Sequence, residues 1–147
     1  MNSPFTPRAC FAALALTGLF ALCDAQPVQG QISIIAGPSS TYAPTQAVVV
    51  EMVVGARTTW DDGRKIQSVD QPATAAGTSF YQEVLGRSPV EVRRTFIQLV
   101  LSGQALKPEE VGSDADVKAA VARLPGAIGF IRSSSLDSSV KELLRIR

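Results

Sequence analysis

A mixed sheet with helices packed on both faces, an α/β layer fold, is what this sequence predicts, and three observations predict it. Short β-branched or apolar runs alternate along the chain with runs of helical period, as layered α/β folds require. Two helix starts carry their own capping residues, Ser88 to Glu91 and Ser113 to Asp116. Between Pro125-Gly126 and Arg132 lies a bounded apolar run, residues 127–131, short enough for a strand buried on both faces.

Taken in order, residues 31–36, QISIIA, are β-branched and read as the first strand. Gly37-Pro38-Ser39-Ser40 is a small polar turn. The valine-rich run 46–54 is a strand by propensity alone. Thr45 before it and Gly55 after it are a helix cap and a helix stop, and they favour a helix; both assignments stay open here. Asp61-Asp62-Gly63 is a turn, and residues 65–69 form a weak strand. A loop of small residues, 70–77, then feeds a helix opening near Thr78 and closing at Gly86. Ser88 caps the next helix, with Pro89 in its first turn. Val92, Phe96, Leu99 and Val100 give that helix one apolar face, while Arg93 and Arg94 look outward. The helix after Ser113 repeats Val117, Ala120, Val121 and Leu124 at three and four, and Pro125-Gly126 stops it. Residues 138–147 alternate as a terminal strand would, although adjacent Leu143 and Leu144 also suit a helix.

The chain has 147 residues, enough for one domain. Its first 25 are expected to be an export signal. One positive side chain, Arg8, precedes an uncharged apolar run over residues 9–22, shorter than the roughly 20 residues a membrane span needs. Ala25, with Cys23 two before it, suits cleavage ahead of Gln26. Lipid attachment at Cys23 is the alternative, and Leu22 argues against it, because that position wants a small residue. The domain is therefore expected over 26–147, in the periplasm or secreted. Cys10 and Cys23 both leave with the signal, so the folded part has no disulfide and relies on its core. Removing Arg8 and Asp24 leaves the net charge at +1, which points to neither nucleic acid nor an acidic membrane surface.

Without histidine, and without cysteine once the signal is gone, the domain lacks the commonest general base, transition-metal ligands and strongest nucleophile. No metal or cofactor is expected. An enzyme is the poorest reading. Asp61 and Asp62 sit in a turn that acidic residues ordinarily form, Glu109 and Glu110 make a solvated face, and Asp114 and Asp116 suit a helix N-terminus.

Several stretches carry a family resemblance over residues 32–146: Phe80-Tyr81 with Val84-Leu85-Gly86-Arg87-Ser88-Pro89, Val111-Gly112-Ser113-Asp114-Ala115, and above all Leu124-Pro125-Gly126-Ala127-Ile128-Gly129-Phe130. Val53-Val54-Gly55 through Trp60 adds a fourth. Together these resemble the phosphate ABC transporter substrate-binding proteins, in a short form with one lobe of the periplasmic-binding-protein fold. The resemblance implies a helix over the valine run and an oxyanion ligand, phosphate first, held by hydroxyls and backbone N–H groups at helix N-termini. By position it implicates Gly77, Thr78 and Ser79, and Ser39 and Ser40 in the turn after the first strand. Thr78 as a mere cap and the serines as a mere turn are the plainer alternatives. The family's arginine ahead of this motif is missing from residues 69–76, which predicts weak binding. Trp60 either covers the cleft or packs a helix onto the sheet, and Arg57, Arg64 and Lys65 form a loose basic cluster around it. Expected partners are a membrane transporter or another exported protein, or a second copy completing the cleft. The alternative function is a non-catalytic interaction module that keeps the lobe without the ligand.

Overall fold

The computed structural model describes residues 31–147, so the expected signal, its cleavage site and both cysteines lie outside the described residues. The architecture is α/β: a mixed five-stranded sheet between helices on its two faces, as expected. The strands are β1 (Ile32–Ala36), β2 (Gln67–Asp70), β3 (Glu109–Glu110), β4 (Ala127–Arg132) and β5 (Lys141–Ile146), in the spatial order β3-β2-β4-β1-β5. β2 runs parallel to both β3 and β4, whereas β1 is antiparallel to β4 and β5. β1 and β4 occupy the interior of the sheet, and β1 is buried along its whole length. That is why both read as continuous apolar runs.

The valine run is a helix, α1 (Gln46–Val54). Thr45 accepts from the Val48 N–H at 3.4 Å, and Gly55 ends the helix at φ 83° with its N–H on the Met52 carbonyl. A left-handed residue there strongly favours glycine. Capping and burial of Val49 and Met52 override the strand propensity of the valines. α2 (Ala75–Ser79) starts three residues earlier than Thr78, because Thr74 is its cap. It runs on without a break into a π-helical turn, Phe80–Leu85, that ends at Gly86.

α3 (Pro89–Leu101) has the full reciprocal capping box between Ser88 and Glu91. The box at α4 (Asp114–Arg123) is only half formed. Ser113 Oγ accepts the Asp116 N–H at 3.1 Å, but the Asp116 carboxylate takes the Ser113 hydroxyl at 2.7 Å rather than a backbone N–H. Aspartate is one methylene shorter than the glutamate that normally reaches back. The C-terminal segment is a strand, β5, at the sheet edge.

Two cores follow from the layers. α1, the α2 segment and α3 cover one face, with Ile34, Phe80, Phe96, Ile128 and Phe130 among the buried residues. Phe80 stacks on Phe130 at 4.1 Å. α4 covers the other face through Val117, Ala120 and Val121, against Ile35, Val69 and Ile131. Trp60 belongs to the first core: it is buried and its indole N–H donates to the Gly126 carbonyl at 2.9 Å. Of its two readings, packing is the one the structure shows. The basic cluster around it is dispersed, with Arg57 paired to Asp61 and Lys65 donating to the Gly103 carbonyl at 2.6 Å.

Candidate functional site

Ligands of open α/β sheets bind beyond the carboxyl ends of the parallel strands, where helices begin. In this lobe that end is formed by Asp70, Gln71 and the opening of α2, beside the end of β4 at Arg132 and the start of α4. Gln71 is fully buried and organises the place. Its amide nitrogen donates to the Phe130 carbonyl and to Asp114 Oδ1, both at 2.8 Å. Its amide oxygen accepts from the Thr74 hydroxyl at 3.0 Å. Asp114 Oδ2 accepts from Ser135 Oγ at 2.6 Å and from Arg132 Nε at 3.3 Å. A single chain of hydrogen bonds thus joins the cap of α2 to an arginine on β4.

Electrostatically, this end is balanced. Burial pushes the Asp114 carboxyl upward, but hydrogen bonds from Ser135, Gln71 and Arg132 outweigh it, so the group stays below the usual aspartate value. It remains a carboxylate beside the guanidinium. Only Nε of Arg132 is engaged among the described residues, so its two terminal nitrogens still face solvent with their donors. Arg132 is thus a cation at this end of the sheet, where the stretch ahead of Gly77, residues 69–76, has no arginine.

The expected site residues fall into two places. Gly77, Thr78 and Ser79 lie in α2 at this end of the sheet. The Gly77 N–H already bonds Thr74 Oγ1 at 3.0 Å, the Thr78 N–H bonds the Thr74 carbonyl at 2.9 Å, and the Thr78 hydroxyl takes the same carbonyl at 3.1 Å. Thr78 is therefore not the cap of the helix, and its donors are occupied. Gly77 has a packing reason to be glycine. A Cβ there would stand 2.1 Å from the Gln71 carbonyl oxygen, in the turn the helix rests upon.

Ser39 and Ser40 lie at the other end. β1 is antiparallel to β4, with Ala36 opposite Ile128, so the turn after β1 sits beside the start of β4. It borders a cavity of about 370 Å³ with Tyr42, Asp62 and Arg64. Tyr42 stacks on Trp60 there at 3.8 Å, and its hydroxyl donates to Asp62 at 2.7 Å. Strand direction thus puts the Ser39-Ser40 turn and the Gly77-Thr78-Ser79 stretch at opposite ends of the sheet. Gln71, Thr74, Asp114, Arg132 and Ser135 were not anticipated as a site. Asp114 carried only the signal of a helix start, and nothing local marks the others.

No family model matches this chain, and no curated protein matches it. Solved structures do. An ABC-type phosphate transport receptor from Vibrio cholerae matches with a TM-score of 0.61 at 21% identity, over 78% of this chain and 47% of that one. PstS from Borrelia burgdorferi matches with a TM-score of 0.56 at 14% identity, over 78% of this chain and 50% of that one. A Clostridium perfringens protein assigned to the phosphate ABC transporter substrate-binding proteins, solved with bound phosphate, gives 0.60 at 20% identity, over 78% and 45%. The chain spans about half the length of the structures it matches. At these identities the likeness is one of fold: the chain has the fold of a lobe of the phosphate-receptor type.

Proposed function

We propose that this protein is an exported, non-catalytic solute-binding lobe that takes a small oxyanion, phosphate first, for an ABC-type transporter. The observation that carries the reading is that the α2 opening, with the first-turn N–H groups of Ala75 and Ala76 and with Ser79 one turn on, shares one sheet end with Arg132 and is joined to it by hydrogen bonds through Thr74, Gln71 and Asp114. Helix openings and guanidinium groups both suit phosphate. The fold likeness to phosphate receptors supports the same ligand class. Among the described residues there is no cluster of side chains that could hold a metal. A transporter subunit is the expected partner, and a second copy of the lobe is the simplest way to close the open face.

Calorimetric titration of the purified protein with phosphate, in a buffer free of other oxyanions, tests the reading. Saturable binding weakened about tenfold by Arg132→Ala, and reduced in Ser79→Ala, is the expected result. Absence of heat at millimolar phosphate overturns it. The interaction-module reading would then take its place. It is favoured by one observation, that the Gly77 and Thr78 amides are already satisfied within the chain.

A further inference from the structure

A second cavity opens on the α3 face of the sheet, next to the end of β2. It lies between α3 and the sheet, about 840 Å³ in volume, within the range of small-molecule sites. Val92, Phe96 and Val100 of α3 form its roof, Val49 and Val53 of α1 one side, and Ile128 and Phe130 of β4 part of its floor. Ile97 and Leu101, both more than half exposed, stand at its mouth.

β2 contributes polar groups to this wall, and Arg93, Lys107, Glu109 and Glu110 contribute the other charges. Val69 packs toward α4, so its neighbours Ser68 and Asp70 point to the opposite face, into the cavity. Asp70 Oδ2 accepts from the Tyr81 hydroxyl at 2.6 Å. Asp70 Oδ1 is buried and has no hydrogen-bond partner among the described residues. Of the other charges in the lining, Arg93 of α3 pairs with Glu110 of β3 across the rim, Glu109 pairs with Arg123, and Lys107 has no ion-pair partner among the described residues. The carboxylate of Asp70 is thus the one negative group of the wall without a cationic partner of its own. A buried acceptor left unpaired is costly, and a donor that reaches it is strongly favoured.

We propose that this cavity binds an amphiphilic primary amine, its ammonium group on Asp70 Oδ1 and its hydrocarbon body beneath α3. A fatty acid or phosphate ester of the same size would set its anion against Asp70, so charge sign selects the ligand. Burial raises the Asp70 carboxyl, and a cation bound beside it would favour its ionised form. The site adjoins the oxyanion site at the end of β2 but opens on the α3 face of the sheet and has the opposite charge preference, so Asp70→Asn and Arg132→Ala test the two readings separately.

The test titrates the full chain at neutral pH with n-octylamine, n-octanol and octanoate, each below its micellar concentration, with binding read by NMR shifts of the cavity methyl groups. Octylamine is expected to bind about tenfold more tightly than octanoate, a preference Asp70→Asn removes while octanol binding survives. Ser68→Leu, which fills the floor from β2, is expected to abolish all three with the fold intact by circular dichroism. Should that variant unfold, Val100→Phe fills the roof instead. Equal affinity for octylamine and octanoate, indifference to Asp70→Asn, or no binding of any probe overturns the proposal.

Discussion

Gly77→Ala distinguishes a structural glycine from a ligand-binding one, and the structure gives the magnitude. In an unobstructed helix this change stabilises by about 1 kcal/mol, since alanine has the better helix propensity. Here the new Cβ would stand 2.1 Å from the Gln71 carbonyl oxygen and 3.0 Å from its carbonyl carbon and from the Pro72 Cα. All three are backbone, so no side-chain rotation relieves the clash. Relief requires α2 to move off the turn that Gln71 anchors, which strains the Thr74 and Asp114 hydrogen bonds together. Overpacking of this kind costs roughly 3 kcal/mol at the upper end of its usual range, leaving a net loss of about 2 kcal/mol. Urea denaturation should show a lower midpoint with an unchanged slope. Gly112 is the internal control, with open space around its absent Cβ, and Gly112→Ala should be neutral or slightly stabilising. Gly77→Ala at full stability, with phosphate binding alone lost, would refute the packing account and return the glycine to the ligand.

Asp70→Asn should raise stability at neutral pH. Burial, partly offset by the Tyr81 hydroxyl, lifts the folded carboxyl above its ordinary value of 3.8. A raised carboxyl gives stability that is full below that value and is lost as pH rises through the folded one. Wild type and variant should therefore converge in acid and separate toward neutrality, in denaturation curves measured across pH; a constant gap would contradict the assignment. Trp60→Phe removes the bond to the Gly126 carbonyl and narrows the stack with Tyr42. Its cost should be about 1–2 kcal/mol in the same assay, with phosphate titration unaffected because that ring is at the far end of the sheet.

What could be read from the sequence, and what could not, divides along the reach of the interactions. Capping chemistry is local, so Ser88 with Glu91, and Thr45 with Gly55, marked their helices even where valine argued for a strand. Thr74 was missed because Thr78, four residues on, has the same chemistry, and because Gly77 between them looks like a loop residue. Its glycine identity answers to the Gln71 turn, a contact that only the folded chain reveals. Strand direction is also not a local property. Nothing in QISIIA says that β1 runs against β4, yet that single fact places Ser39 and Ser40 at the wrong end to join Thr78. The network at the likelier-looking motif's own end is drawn from Gln71, Asp114, Arg132 and Ser135, which three separate elements and a turn bring together.

Within that network Asp114 has two roles that an anion bound at Arg132, as proposed, would feel differently. It keeps Gln71 in place, and it also neutralises the arginine that an oxyanion would need. Asp114→Asn separates the two roles. The asparagine carbonyl can still accept from the Gln71 amide, and its NH₂ can donate to the Ser135 hydroxyl, so the turn under α2 should persist. The negative charge disappears and Arg132 is released. The guanidinium side of this pair is exposed and the carboxylate largely buried, and at about 1 kcal/mol for a partly screened pair phosphate should bind about fivefold more tightly to the variant. The gain should fall with added salt and vanish in the double variant with Arg132→Ala, because it acts only through that guanidinium. An unchanged or weaker affinity in Asp114→Asn, with Gln71 still buried by NMR, would place any phosphate site elsewhere. A gain that depends on Arg132 would mean that the lobe tempers its own affinity with a carboxylate, as a receptor that must release its ligand requires.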